Sequence, residues 1–248
     1  MVRVAASAPW EGLAFAATPD LMPLVEAEVL ARAVARYEPS DAATRLLAER
    51  FPGASVAGID SSRHFVALAR QAPIARAHFE VADVTQPLPG GPYDVIYCRY
   101  LLTHLARPMA AIDNWSAHLR PGGVLAIEEN DWIRTVQPAF ARYLEIVEAM
   151  LADAGQKLYV GAELERADDW PQLVKVSSDV VPVTVEDRAA AGMFVPNLAT
   201  WRNRPYVVEN TSAGELDRLH HDLEDLAHDS SGQRSITFGQ RRLVFRRK

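Results

Sequence analysis

The sequence predicts a doubly wound, mostly parallel α/β sheet, and three observations carry that expectation. Extended and helical apolar patterns alternate between residues 40 and 130, turns bearing glycine or proline separate them, and the extended runs end on polar residues at Asp60, Asp83 and Cys98-Arg99. A helical cap over residues 1–38 is expected to precede this core, and a helical lid is expected to be inserted before the last strand within 131–248. The chain thus reads as one domain, 1–248. Its 248 residues, 49% hydrophobic and 23% charged, are enough to bury a full core.

The elements follow in order. Apolar residues recur at helical spacing from Leu21 to Tyr37, and Glu38-Pro39 ends that helix. Ser40 or Asp41 can cap a second helix, Ala42 to Phe51, which Pro52-Gly53 stops. Ala54 to Ile59 reads as a short strand finishing at Asp60, followed by a helix from Arg63 to Gln71 and a strand from His78 to Val81. A Pro-Gly loop over 87–92 leads into the strand Tyr93 to Cys98. Helices around Leu101 to Leu105 and from Pro108 to Leu119 come next, then the turn Arg120-Pro121-Gly122-Gly123. The strand Val124 to Ile127 runs into the acidic segment Glu128-Glu129-Asn130-Asp131. Beyond it lie a helix from Phe140 to Ala154, a strand from Leu173 to Val183, a charged helix from Gly214 to Ala227 and a final strand or hairpin from Ser235 to Arg246.

Composition narrows the function classes. A formal net charge of -6 and a pI near 5.7 argue against a polyanion binder. The dense basic run, Arg241, Arg242, Arg246, Arg247 and Lys248, reads as solvated strand-end charge. Cys98 is the only cysteine, which rules out an internal disulfide or a cysteine-cluster zinc site and suits a reducing cytoplasm. No export signal or membrane span is read, no metal is expected, and neither His-Glu-x-x-His nor Gly-x-Ser-x-Gly occurs. The expected partner is a small-molecule substrate rather than nucleic acid or membrane, with a homodimer as the candidate assembly.

In an open parallel sheet, ligands bind outside the carboxyl ends of the strands, so the strand ends carry the functional information. Asp60, with Ser61 beside it, is placed either to accept hydrogen bonds from a ribose or to cap the helix that follows. Asp83 could accept a bond from an adenine amino group with Val84 over the ring, or serve as a turn residue. Arg99 ends the next strand. His104 follows Tyr100 by four residues on one helical face and is either a candidate acid/base group or structural. On the substrate side, Asp131 ends the acidic segment and Trp132 follows it. Its carboxylates could orient an acceptor or form a solvated loop. Met193 and Asn197, with Phe194, Trp201 and Tyr206 nearby, could roof an apolar pocket or be core, and Trp10 is a similar candidate in the cap.

The ordered series Ala57-Gly58-Ile59-Asp60, Ala82-Asp83-Val84, Pro92 to Arg99 and Leu119-Arg120-Pro121-Gly122-Gly123-Val124-Leu125 resembles the class I S-adenosylmethionine-dependent methyltransferases over roughly residues 40 to 130. The resemblance implies a Rossmann-like sheet with S-adenosyl-L-methionine as cofactor. It places Asp60 on the ribose, Asp83 and Val84 on adenine, and Cys98 and Arg99 near the methionine part. It also exposes a departure. The family sets a strand and a glycine-rich turn ahead of the helix leading to Asp60, whereas here Ser40 leads straight into Asp41-Ala42-Ala43-Thr44. Roughly ten residues of that pattern are missing. The missing strand belongs between those ending at Asp60 and Cys98, and Val2 to Ala6 is a segment that could fill the slot.

The function expected is methyl transfer to an O, N or C nucleophile of a small, partly apolar molecule. The alternatives are an enzyme of the same fold that performs a non-methylating cyclisation or rearrangement, or a non-catalytic partner subunit with a degenerate cofactor site.

Overall fold

A computed structural model describes Thr44, Ala48 and residues 55–71, 75–167 and 170–248. The cap over 1–38, with Trp10 and the Val2 to Ala6 segment, and most of the helix 42–51 lie outside the described residues.

The first sheet is a parallel pair. Strand β1 (Val56–Asp60) is buried throughout and runs beside β2 (Ala77–Val81), in register from Val56 opposite Ala77 to Asp60 opposite Val81. Between them lies helix α1 (Arg63–Gln71), which buries Val66 and Ala69. Its start is fixed locally: Asp60 Oδ1 accepts the Ser62 N–H at 2.6 Å, and Ser62 Oγ accepts the Phe65 N–H at 3.3 Å.

The second sheet is mixed. Strand β3 (Tyr93–Arg99) leads through a 3₁₀ turn (Leu102–His104) and helix α2 (Pro108–His118) into its parallel neighbour β4 (Leu119–Thr135). Helices α3 (Pro138–Asp153) and α4 (Gly161–Arg166) follow, then β5 (Leu173–Val185). Three helices, α5 (Asp187–Trp201), α6 (Pro205–Asn210) and α7 (Ala213–His228), fill the expected insertion before β6 (Ile236–Arg247). Strand β6 returns antiparallel between β4 and β5, so the order is β3-β4-β6-β5.

Among the described residues the two sheets do not pair with each other. The break falls between β1 and β3, the same two strands that the sequence pattern places on either side of the missing one. Val56, Ala57 and Ile59 nevertheless share one hydrophobic cluster with Val95, Ile96, Leu125 and Ile127.

One expectation changes. Strand β4 does not stop at Ile127 but continues to Thr135, because β6 supplies an antiparallel partner along that whole length. Glu128, Glu129 and Asn130 therefore lie buried in a strand rather than in a solvated acidic loop. The register shifts between Asn130 and Trp132, which leaves Asp131 as a bulge residue. Of the two readings kept for the aromatic residues before the last strand, Phe194 and Trp201 follow the core one. They pack in a second cluster with α3 and α7, where the Tyr143 and Phe194 rings stack at 4.2 Å.

Candidate active site

Asp60 lies at the carboxyl end of β1, Asp83 follows β2, and Cys98, Arg99 and Tyr100 close β3 beside the Glu128 to Trp132 stretch of β4. Asp60 ends β1 with its carboxylate buried. Just before it in β1, a Cβ on Gly58 would come within 2.6 Å of the Phe79 ring and 2.9 Å of Thr44 Oγ1, so any larger residue there would have to displace the Phe79 ring. Asp83 is exposed and closes a turn: its Oδ1 accepts the Thr85 N–H at 2.9 Å and the Thr85 hydroxyl at 2.8 Å. The Val84 side chain is packed in the core, and its carbonyl accepts the Trp115 indole N–H at 2.8 Å.

Strand pairing sets Arg99, Glu128 and Arg242 side by side across β3, β4 and β6. The alternation of strands puts Tyr97, Asn130 and Gln240 on that same face. Tyr97 Oη donates to Glu128 Oε2 at 3.0 Å, and Arg99 Nε lies 3.7 Å from the same oxygen. Burial pushes the Glu128 carboxyl upward, partly opposed by Arg99, the Tyr97 hydroxyl and Arg242.

Tyr100 turns the chain out of β3 with φ at 51, in the left-handed region that only a well-supported non-glycine residue occupies. Its backbone N–H donates to Glu128 O at 2.9 Å, and its ring lies 4.8 Å from the Arg99 guanidinium. The hydroxyl meets Arg99 Nη2 at 3.5 Å and the Gln240 amide.

The opposite face carries Glu129, whose Oε1 accepts the N–H groups of Leu101 and Leu102 at 2.8 and 2.7 Å. Burial raises this carboxyl to about 8, against the lowering effect of the Leu102, Leu101 and Thr103 N–H groups. On the same face Asp131 accepts from Arg241 Nε at 2.7 Å, and Arg241 Nη1 reaches Ser178 Oγ at 2.9 Å and Glu165 at 3.2 Å. Helix α4 closes against this pair at Gly161, where a Cβ would fall 2.9 Å from Asn130 O and 3.0 Å from Arg241 Cβ.

His104 ends the 3₁₀ turn, half-buried. Burial, with Arg204 adding to it, lowers its imidazole to about 3. It is therefore neutral at physiological pH and a weak base. Burial, followed by Glu129 and Glu128, pushes the Cys98 thiol up, which keeps it protonated inside the core.

Arg99, Tyr100 and Cys98 are thus contiguous with the β4 carboxylates. Trp132 packs flat on Gly239 and against Arg134 at 4.3 Å. Met193 and Asn197 sit one turn apart on α5, where Met193 packs against the second cluster. Sequence reading missed Gln240 and Arg242 and took the run containing Arg241 and Arg242 for solvated charge. Both arginine side chains are largely buried, because β6 is an inner strand. The available signal was their period-two spacing within a strand. Among the described residues, no His, Cys, Asp or Glu group is arranged to hold a metal, and no helix is long and apolar enough to cross a membrane.

A methyltransferase-domain family model matches residues 40–127. Trans-aconitate 2-methyltransferase of Delftia acidovorans is 29% identical over 233 residues, which cover 83% of this chain and 83% of that protein. Enzymes of the same name are 39% identical over 85 residues in Azoarcus and 41% over 90 residues in Paracidovorax citrulli; these matches cover 34% and 36% of this chain. They span 33% and 34% of those two proteins, about a third of their length. Among solved structures, a protein of Bacillus halodurans assigned as a methyltransferase superposes with a TM-score of 0.52 at 13% identity, over 84% of this chain and 88% of that one. A cyclopropane synthase of Mycobacterium tuberculosis gives 0.51 at 14% identity, over 84% and 75%. These two likenesses concern the fold.

Proposed function

We propose that the chain, which carries a methyltransferase-domain match over residues 40–127, is an S-adenosylmethionine-dependent methyltransferase that esterifies a carboxylate oxygen of a small polycarboxylic acid. The observation that carries the acceptor class is the similarity to a trans-aconitate 2-methyltransferase along 83% of both chains. A tricarboxylate of that kind offers no nucleophilic heteroatom besides its carboxylate oxygens.

The chemistry suits the residues present. When bound, the cofactor supplies an electrophilic methyl group on a sulfonium. A carboxylate acceptor is already an anion at neutral pH, so the protein has no proton to remove and contributes chiefly alignment. His104, with its imidazole held near 3, then serves as a neutral positioning group rather than a base. The buried Asp60 carboxylate fits the hydroxyls of a ribose, and Ser61, Asp83 and Val84 would lie along the adenosine side. The backbone at Cys98 and the Arg99 guanidinium would face the methionine part. On the substrate side, Tyr100 joins Arg99, with Asp131 and Trp132 further along β4, and Met193 and Asn197 on α5. A reducing cytoplasm, where small carboxylic acids are abundant and Cys98 stays a thiol, is the compartment we favour.

Conversion of S-adenosylmethionine into S-adenosylhomocysteine on addition of trans-aconitate tests the proposal. We expect conversion that depends on the acid and saturates with it. Conversion that ignores the acid would count against the proposal.

A further inference from the structure

Two guanidiniums flank a single carboxylate on the face shared by β3, β4 and β6. Arg99 Nε lies 3.7 Å from Glu128 Oε2, and Arg242 Nε lies 4.0 Å from Glu128 Oε1. Both distances are beyond hydrogen-bond reach. Arg99 Nε and the Arg242 Nε and Nη2 atoms are buried and find no hydrogen-bond partner among the described residues. The two side chains are only 8% and 15% exposed, so water does not replace the missing acceptor. A guanidinium cannot shed its proton to relieve this. Two guanidiniums against one buried anion therefore leave these buried nitrogens without an acceptor, since Asp179, opposite Arg242 on β5, is exposed, and the upward pressure of burial on Glu128 weakens the one anion they share.

Gln240, two residues from Arg242 on the same face, is 1% exposed. Its amide touches the Tyr100 hydroxyl, which also receives Arg99 Nη2. The Tyr100 proton then needs an acceptor. As placed, Gln240 Nε2 donates to the Tyr100 hydroxyl and its buried Oε1 has no partner; turning the carboxamide over gives the Tyr100 proton its acceptor and leaves the NH₂ as the group without one.

We infer that Arg242 and Gln240 of β6, next to Arg99 of β3, hold a carboxylate of the acceptor that is not itself methylated, and so select polycarboxylic over monocarboxylic acids. The inference rests on the carboxylate-acceptor reading given above. A planar carboxylate matches the arginine fork, and its oxygens supply the acceptor those nitrogens lack. A purely structural ion pair would instead have closed Glu128 onto the arginines.

Calorimetric titration of trans-aconitate into the protein saturated with S-adenosylhomocysteine tests this, with the trimethyl ester as uncharged control. The acid is expected to bind and the ester not. Arg242→Gln is expected to weaken acid binding at least about tenfold while S-adenosylhomocysteine affinity holds, and KM should rise far more than kcat falls. Arg242→Lys keeps the buried charge and decides the matter if the glutamine variant is unfolded: it should lose severalfold, and equal affinity would overturn the inference. Unchanged acid affinity in a folded Arg242→Gln also overturns it, while acid-dependent methyl transfer by the wild-type protein would leave the broader reading standing. A wild-type protein that binds no acid, or binds the ester equally, overturns both.

Discussion

Glu129 Oε1 accepts the backbone N–H of Leu102 at 2.7 Å, with that of Leu101 alongside at 2.8 Å. One buried carboxyl in β4 thereby caps the turn that leaves β3, and it locks together the two strand ends that carry Arg99 and Glu128.

This lock should respond to pH. The Glu129 carboxyl stands at about 8 in the folded protein, above the value near 4.3 of an unfolded glutamate. Its contribution is complete below the unfolded value and is lost as pH rises through the folded one, by up to about 1.4 kcal/mol per pH unit. Thermal denaturation from pH 5 to 9 should therefore show the wild type losing stability relative to Glu129→Gln, which keeps the acceptor oxygen and cannot ionise. Parallel curves would contradict the burial argument.

His104 should act at the other end of the scale. Its imidazole is held at about 3, below the ordinary value near 6.5, so its contribution is present above 6.5 and fades as pH falls toward 3. In urea titrations between pH 7 and 4.5, His104→Gln should lose less stability than the wild type, by about 2–3 kcal/mol at the acid end. For methyl transfer, the kcat profile should show no break from this residue between pH 6 and 8.

Gly239 sits beneath the Trp132 indole, where a Cβ would meet Cε2 at 2.2 Å. Gly239→Ala should cost about 1–3 kcal/mol through overpacking. Pairing it with Trp132→Ala should restore part of that loss, measured as the urea midpoint at constant slope. An alanine variant as stable as the wild type would place the indole elsewhere.

Asp60 has two duties that substitution can separate. Asp60→Asn retains an oxygen for the Ser62 N–H and should cost under about 1 kcal/mol in the absence of ligand. It should nevertheless lose most of the stabilisation that S-adenosylhomocysteine gives the wild type, which is about 2.7 kcal/mol at a hundredfold excess over Kd. Equal shifts in melting temperature would remove Asp60 from the cofactor site.

The strands ending at Asp60 and Arg99 were legible because each is a short, largely apolar run closed by a polar residue, and β2, Ala77–Val81, because its polar and apolar residues alternate, with helix α1 matching its expected bounds from Arg63 to Gln71. The extension of β4 was not. Glu128-Glu129-Asn130-Asp131 has the composition of a loop, and it becomes strand because β6, more than a hundred residues later, supplies Arg242, Arg241 and Gln240 opposite it. Pairing at that distance leaves no mark in local periodicity. The same partnership hid Arg242 and Gln240, whose burial depends on β5 covering the far edge of β6. Among the described residues the break between the two sheets falls where the order of motifs lacks a strand, since the spacing from Ser40 to Asp60 is too short for one more strand and turn; Val2 to Ala6, the segment that could fill the slot, lies outside the described residues.

Methyl transfer to a carboxylate oxygen is the central claim, and the product itself tests it most directly. Mass spectrometry of trans-aconitate incubated with the protein and S-adenosylmethionine should show a gain of one methyl, and mild alkaline hydrolysis should return the starting acid, as an ester requires. A methylated product that survives such hydrolysis, or an acid recovered unchanged beside a folded, cofactor-binding protein, would contradict the account.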